Sequence, residues 1–246
     1  MKLPVEVINR GGSGEIVILC EHASAHIPRE YFELGLCQND RKSHAAWDPG
    51  ALDLASSLSQ ELDAPLIASC VSRLIYDCNR PPEEMSSIPA QSELIHVPGN
   101  VRLSSAERHA RAQAVYLPFC QTVSNVLDAR GADTFVVTVH SFTPTYFGKP
   151  RLVELGLLHD SDTRLADAML INAVRLPHRK IARNEPYGPA DGVTHSLKLH
   201  AVSRGLANVM IEVRNDLIAT ENDISEMTRD IVALLEPAIT ELKKKG

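Results

Sequence analysis

The chain has 246 residues, a hydrophobic fraction of 44%, a charged fraction of 23% and a formal net charge of −6. Those values lie near the averages of globular proteins, which excludes a disordered or fibrous chain, and the acidic balance lacks the basic stripe of a nucleic-acid binder. The length suits one α/β unit, so a single domain over 1–246 is expected.

In chain order, the amino end carries one lysine and then prolines, charges and glycines. That is not the apolar core of a signal peptide, and no later stretch is long enough to cross a bilayer. Ile16 to Cys20 is a continuous apolar run entered through "RGGSGE", which predicts a buried parallel strand. Asp48 and Pro49 read as the N-cap and first residue of a helix running to Pro65, with Leu52, Ala55, Ser59 and Leu62 at helical spacing. Leu66 to Ala68 and "RLIYDC" (73–78) predict short strands, the second broken by "NRPP". Residues 83–103 read as a proline-bearing loop over a site.

Ser104 and Glu107 form the pattern of a capping box, opening a long helix that ends at Gly131 and is kinked by Pro118. "TFVVTVH" (134–140), "VELGLLH" (153–159) and "ANVMIEVR" (207–214) predict strands; 161–175, 196–205 and 223–245 predict helices. Lys243 to Lys245 close the last of these, where cations complement the helix dipole. Strands alternating with helices predict an α/β sandwich with a mainly parallel sheet. The five cysteines are scattered, without a CxxC pair, which fits a reducing cytoplasm.

In such sheets ligands gather at the carboxyl ends of the strands. There the sequence supplies Glu21 and His22, His140, and Glu212 with Arg214. A zinc hydrolase needs three protein ligands, an open position and a carboxylate that is not a ligand. His22, His140 and one carboxylate fill the first role, with Asp48 and Glu212 as candidates for the other two. Each has a plainer reading: a satisfied histidine at a strand end, an N-cap for Asp48, a salt bridge for Glu212. Glu212 is the hardest to explain away, because a carboxylate among Val209, Met210, Ile211 and Val213 is costly to bury without a use. His26 sits too near Pro28 to form a helical histidine pair with His22. Other chemistries lack support: "GGSGE" precedes its strand, no G-x-S-x-G elbow exists, and Cys20 lies inside a strand where it would point into packing.

The blocks "VILCEHASAHIP" (17–28), "WDPGA" (47–51), "SRLIYDCNRPP" (72–82), "VVTVHSFTP" (136–144), "NEPYGPADGVTHSL" (184–197) and "NVMIEVRNDLI" (208–218) resemble the N-formylglutamate amidohydrolases. The resemblance implies a three-layer sandwich with a mixed, mainly parallel sheet, similar to zinc-dependent exopeptidases and peptidoglycan amidases. It implies one Zn2+ per chain held by His22, Asp48 and His140, with Glu212 as the catalytic carboxylate. The implied partner is a small amide substrate bearing a carboxylate, such as N-formylglutamate, with Arg80 of the "NRP" block as the first choice to grip it. Arg73 and Arg214 are further cations available to the substrate, Asn79 adjoins Arg80, and Tyr187 and His195 lie in a Gly/Pro-rich stretch typical of a binding loop. Two alternatives stay open: a peptidase or cell-wall amidase on the same scaffold, and a metal- or metabolite-binding protein without catalysis. The chain departs from the family where Glu21-His22-Ala23-Ser24 replaces a Pro-His-Ser-Gly turn, and near "NEPYGPADG".

Overall fold

A seven-stranded mixed sheet forms the middle of the computed structural model, which describes residues 3–245. Its strands are β1 (Val5–Ile8), β2 (Ile16–Cys20), β3 (Leu66–Ser69), β4 (Phe135–Phe142), β5 (Leu155–Leu158), β6 (Ile181–Arg183) and β7 (Asn208–Arg214), in the order β1-β3-β2-β4-β7-β5-β6. The four central strands β3, β2, β4 and β7 run parallel, while β1 is antiparallel to β3 and β5 is antiparallel to β7.

Helices cover both faces, which is why the central strands read as unbroken apolar runs and not as alternating ones. On one face α1 (Ala51–Glu61), α4 (Arg164–Asn172) and α5 (Glu221–Lys245) bury Leu54, Leu58, Met169, Ile231 and Leu234 against Ile16, Ile18, Val137 and Ile211. On the other, α2 (Ser105–Arg111) continues into α3 (Leu117–Asp128), and Phe119, Val123 and Leu127 pack on Val17, Leu19 and Val136. Each such side chain, fully buried, contributes on the order of 1.5–3 kcal/mol. The Ser104/Glu107 capping box is present. No helix among the described residues is long and apolar enough to cross a membrane.

Three local expectations are corrected. The stretch 73–78 is not a strand: Leu74, Ile75 and Tyr76 are apolar because they sit in a buried turn beneath the sheet's edge, whose carbonyls are taken by the side chains of Asn100 and Arg111. The helix 104–131 is interrupted before Pro118, by a π-turn at Ala112–Tyr116 that absorbs the hydrogen bond proline cannot donate. Asp48 is not a helix cap; α1 starts after Gly50, and the Asp48 carboxylate turns elsewhere. The edge strands β1 and β6 escape the sequence pattern because each is only three or four residues long.

Candidate metal centre

The centre lies at the carboxyl ends of β2, β4 and β7. His140 pairs in register with Glu212 on β7. Leu19 on β2 pairs with Thr138, and two residues further that register brings Glu21 level with His140. One row across three strands therefore carries Glu21, His140 and Glu212, with His22 just past the end of β2.

Asp48 reaches this row through a turn that only glycine permits. Its N–H donates to the His22 carbonyl (2.9 Å), its own carbonyl accepts from Ala51 N–H, and Gly50 takes φ +80°. A Cβ on Gly50 would come within 2.7 Å of the Ile218 carbonyl oxygen, so a side chain there is excluded by contact as well as by backbone conformation.

Three donor atoms converge. Asp48 Oδ2 lies 2.9 Å from His140 Nδ1 and 3.3 Å from His22 Nδ1, and the two Nδ1 atoms are 3.1 Å apart. All three side chains are buried. Each opposite ring nitrogen faces a carboxylate: His22 Nε2 lies 2.7 Å from Asp77 Oδ1, and His140 Nε2 lies 3.2 Å from Glu21 Oε2, within ion-pair reach though off the line of a good hydrogen bond. In the tautomer that carries its proton on Nε2, the form an imidazole bound to metal through Nδ1 takes, two nitrogen lone pairs and a carboxylate oxygen point at one another. Such an arrangement repels itself unless a cation lies between them, and a carboxylate behind each metal-bound imidazole is the usual support. The donor set thus fits a metal ion.

Electrostatics point the same way. Burial and Arg73 oppose a charged His22, but Asp77 and Asp48 lift its pKa above the ordinary value; burial opposes a charged His140, but Glu21 and Asp48 lift it well above. Burial disfavours the Asp48 carboxylate, yet His22 and His140 hold it below the usual range. The surroundings demand positive charge at this point. Arg73 bridges Asp48 Oδ1 (3.3 Å) and Asp77 Oδ2 (2.9 Å), so it serves as their counter-ion.

A cavity of about 310 Å³ opens over the three donors. Glu212 lines it while only 5% exposed, and burial pushes its carboxyl up to about 7, with His140 pulling the other way. The 83–103 segment does lie over the site, through Ser92 and Glu93.

The other predicted residues divide. Arg80 and Tyr187 line the cavity; Arg80 Nη1 donates to the Asp191 carbonyl, and the Tyr187 hydroxyl accepts from Arg151. Asn79 also lines it, but its amide group is taken up by the Val193 carbonyl and the Ser196 N–H, so it fastens the neighbouring loop. Two residues are not brought into the cavity wall. His195 stacks on Tyr116 and bonds its hydroxyl (2.8 Å), and Arg214 is drawn aside by Asp216 (2.8 Å) and the Arg151 carbonyl. His26 is exposed. Sequence reading places Glu21 at its strand end without giving it a role, and it misses Asp77 as a support of His22 because the strand reading of 73–78 hides it.

The solved structure of a gene product of Agrobacterium tumefaciens is 49% identical to this chain, with a TM-score of 0.96 over 98% of this chain and 97% of that one. An N-formylglutamate amidohydrolase from Ralstonia eutropha is 16% identical, with a TM-score of 0.72 over 100% of both chains, and shares the fold. No curated protein matches. The family model described as N-formylglutamate amidohydrolase matches residues 14–219, a span that takes in every residue of the centre just described. By that match, this chain belongs to the N-formylglutamate amidohydrolase family.

Proposed function

We propose that this protein is a zinc-dependent amidohydrolase that cleaves the amide bond of an N-acyl amino acid, N-formyl derivatives among them. The observation that carries the reading is the convergence of His22 Nδ1, His140 Nδ1 and Asp48 Oδ2 beneath a cavity that Glu212 also lines. Their separations of 2.9 to 3.3 Å suit the edge of a tetrahedron, roughly 3.3 Å for ligand bonds of about 2.0–2.1 Å, which is the zinc range.

A divalent ion held by these three residues supplies Lewis-acid polarisation and lowers the pKa of water toward about 7. Glu212 accepts the proton of the water that adds to the amide carbonyl carbon. As the C–N bond breaks, Glu212 returns that proton to the departing amine, leaving a carboxylic acid and a free amino acid. Arg80 grips the substrate carboxylate, Tyr187 bounds the cavity, and Arg73 holds the Asp48 and Asp77 carboxylates in place. The small cavity, overlain by Ser92, Glu93 and Tyr146, suits a compact amide better than an extended peptide or glycan strand.

The test is a pair of variants assayed on N-formyl amino acids with zinc present. Glu212→Gln should keep its zinc and lose at least about 10²-fold in kcat, because the proton acceptor is removed and the ligands are untouched. Ordinary turnover by Glu212→Gln would refute the mechanism.

A further inference from the structure

The charges around the cavity limit what can enter it. Five carboxylates line it, those of Asp48, Asp77, Glu93, Asp191 and Glu212, against two guanidiniums, Arg73 and Arg80. With a divalent ion bound and its histidine ligands neutral, the wall carries no surplus of positive charge beyond that of His44, which pairs with Glu93. Arg73 is engaged by Asp48 and Asp77. Arg80, whose guanidinium makes its one hydrogen bond to a main-chain carbonyl, is the wall's single guanidinium without a carboxylate partner among the described residues.

One further cation stands nearby, and it is shielded. Arg151 has its guanidinium 4.4 Å from the Tyr146 ring centre and 4.7 Å from that of Tyr187, with Nη2 donating to the Tyr187 hydroxyl. Its Nη1 is buried and unbonded, and the residue does not line the cavity. The uncharged part of the wall sets an aromatic and apolar side, Phe142, Tyr146, Tyr187 and Val193, beside the polar side chains of Asn79, Ser92, Ser141 and Thr143. Glu93 sits at the mouth, paired with His44 at 2.5 Å.

We infer that the substrate carries a single carboxylate, gripped by Arg80, and an uncharged amino-acid side chain set against the aromatic wall; N-formylglutamate, with two carboxylates, is a poor substrate. This rests on the proposed amidohydrolase reading. A second carboxylate would enter an acidic cavity whose wall, among the described residues, offers no unpaired guanidinium beyond Arg80, and like charges brought together in a partly desolvated site are strongly disfavoured.

N-formyl-L-glutamine and N-formyl-L-glutamate differ by one charge at nearly constant shape. The experiment compares their kcat/KM on the zinc-loaded protein and their dissociation constants on zinc-loaded Glu212→Gln by calorimetry. The glutamine compound should be favoured at least about tenfold in both, and Glu93→Gln should narrow that preference by roughly two- to fivefold. Equal or better use of the glutamate compound would overturn the inference and leave the amidohydrolase reading standing. A weaker hold on the glutamate compound in Arg151→Met would overturn it as well, by exposing a second carboxylate site. If neither compound is hydrolysed yet the glutamine compound binds at least tenfold tighter, the functional reading falls and the charge inference holds. Binding of neither overturns both.

Discussion

Among the described residues, two groups of three bring histidine nitrogens and carboxylate oxygens within metal-binding reach of one another: His22, Asp48 and His140 at the carboxyl ends of the central strands, and His178, Glu226 and Asp230 beside α5. In the second, the counter-charge is already there. Arg179 donates through Nε to Asp230 (2.7 Å) and through Nη2 to Glu226 (2.6 Å), while the half-exposed His178 only brushes Asp230 at 3.4 Å. In the first, Arg73 binds the outer oxygen of Asp48, and Oδ2, reached by the Ser141 N–H at 3.3 Å, faces two imidazole nitrogens whose rings turn their far sides to Asp77 and Glu21. Proximity of ligand types is common to both; unspent lone pairs aimed at one point belong to the first alone.

The largest effect that could break this distinction is loss of the metal. His22→Ala and Asp48→Ala should each lower zinc content from near one per chain toward zero, measured by elemental analysis of protein purified without chelators. Chelation should lower the unfolding temperature of the parent and leave that of either variant unmoved, since binding to the native state alone stabilises it. A parent without metal would put both clusters in the same class.

Much of this was legible in the sequence for a physical reason: a strand covered on both faces writes itself as an unbroken apolar run, so polar residues at its end stand out. His22, His140 and Glu212 were found that way, and Gly205 duly ends its helix with φ +70°. What the sequence could not carry was direction across space. Asp48 obeys the grammar of a helix cap, and only the Gly50 turn shows that its carboxylate faces the histidines. Arg214 lies two residues past Glu212 on one strand, yet Asp216 draws it away from the cavity. Asp77 was masked because a buried turn is as apolar as a strand.

A third histidine sharpens the argument that carboxylates, not burial alone, decide the charge of an imidazole. His200 is buried with neither ring nitrogen hydrogen-bonded, and burial lowers its pKa to about 4. Because the folded state resists a proton that the unfolded chain accepts near 6.5, stability from this group is full above that pH. It falls as the pH drops toward 4, by up to about 3 kcal/mol, and then levels off. His200→Leu should flatten that part of the acid-unfolding curve; an unchanged slope would show that an unseen partner satisfies the ring.

Glu21 tests the support of the ligands themselves. Its carboxylate is 1% exposed, neither oxygen has a well-aligned hydrogen bond, and it faces His140 Nε2 with the Ser196 hydroxyl beside it. Glu21→Gln keeps the shape and removes the charge, and zinc affinity should fall by about 10–100-fold in a chelator competition. Affinity equal to the parent's would mean that packing alone orients His140.

The smallest expected effect belongs to the second cluster. His178 is more than half exposed and its contact with Asp230 is long, so His178→Ala should change stability by no more than about 0.5 kcal/mol and leave zinc content as it was. Arg179 continues to neutralise Glu226 and Asp230 in that variant, and the space between the carboxylates stays filled by a guanidinium. A fall in metal content on losing His178 would mean that a fixed arginine can share its carboxylates with a metal ion, and the criterion separating the two clusters would then fail.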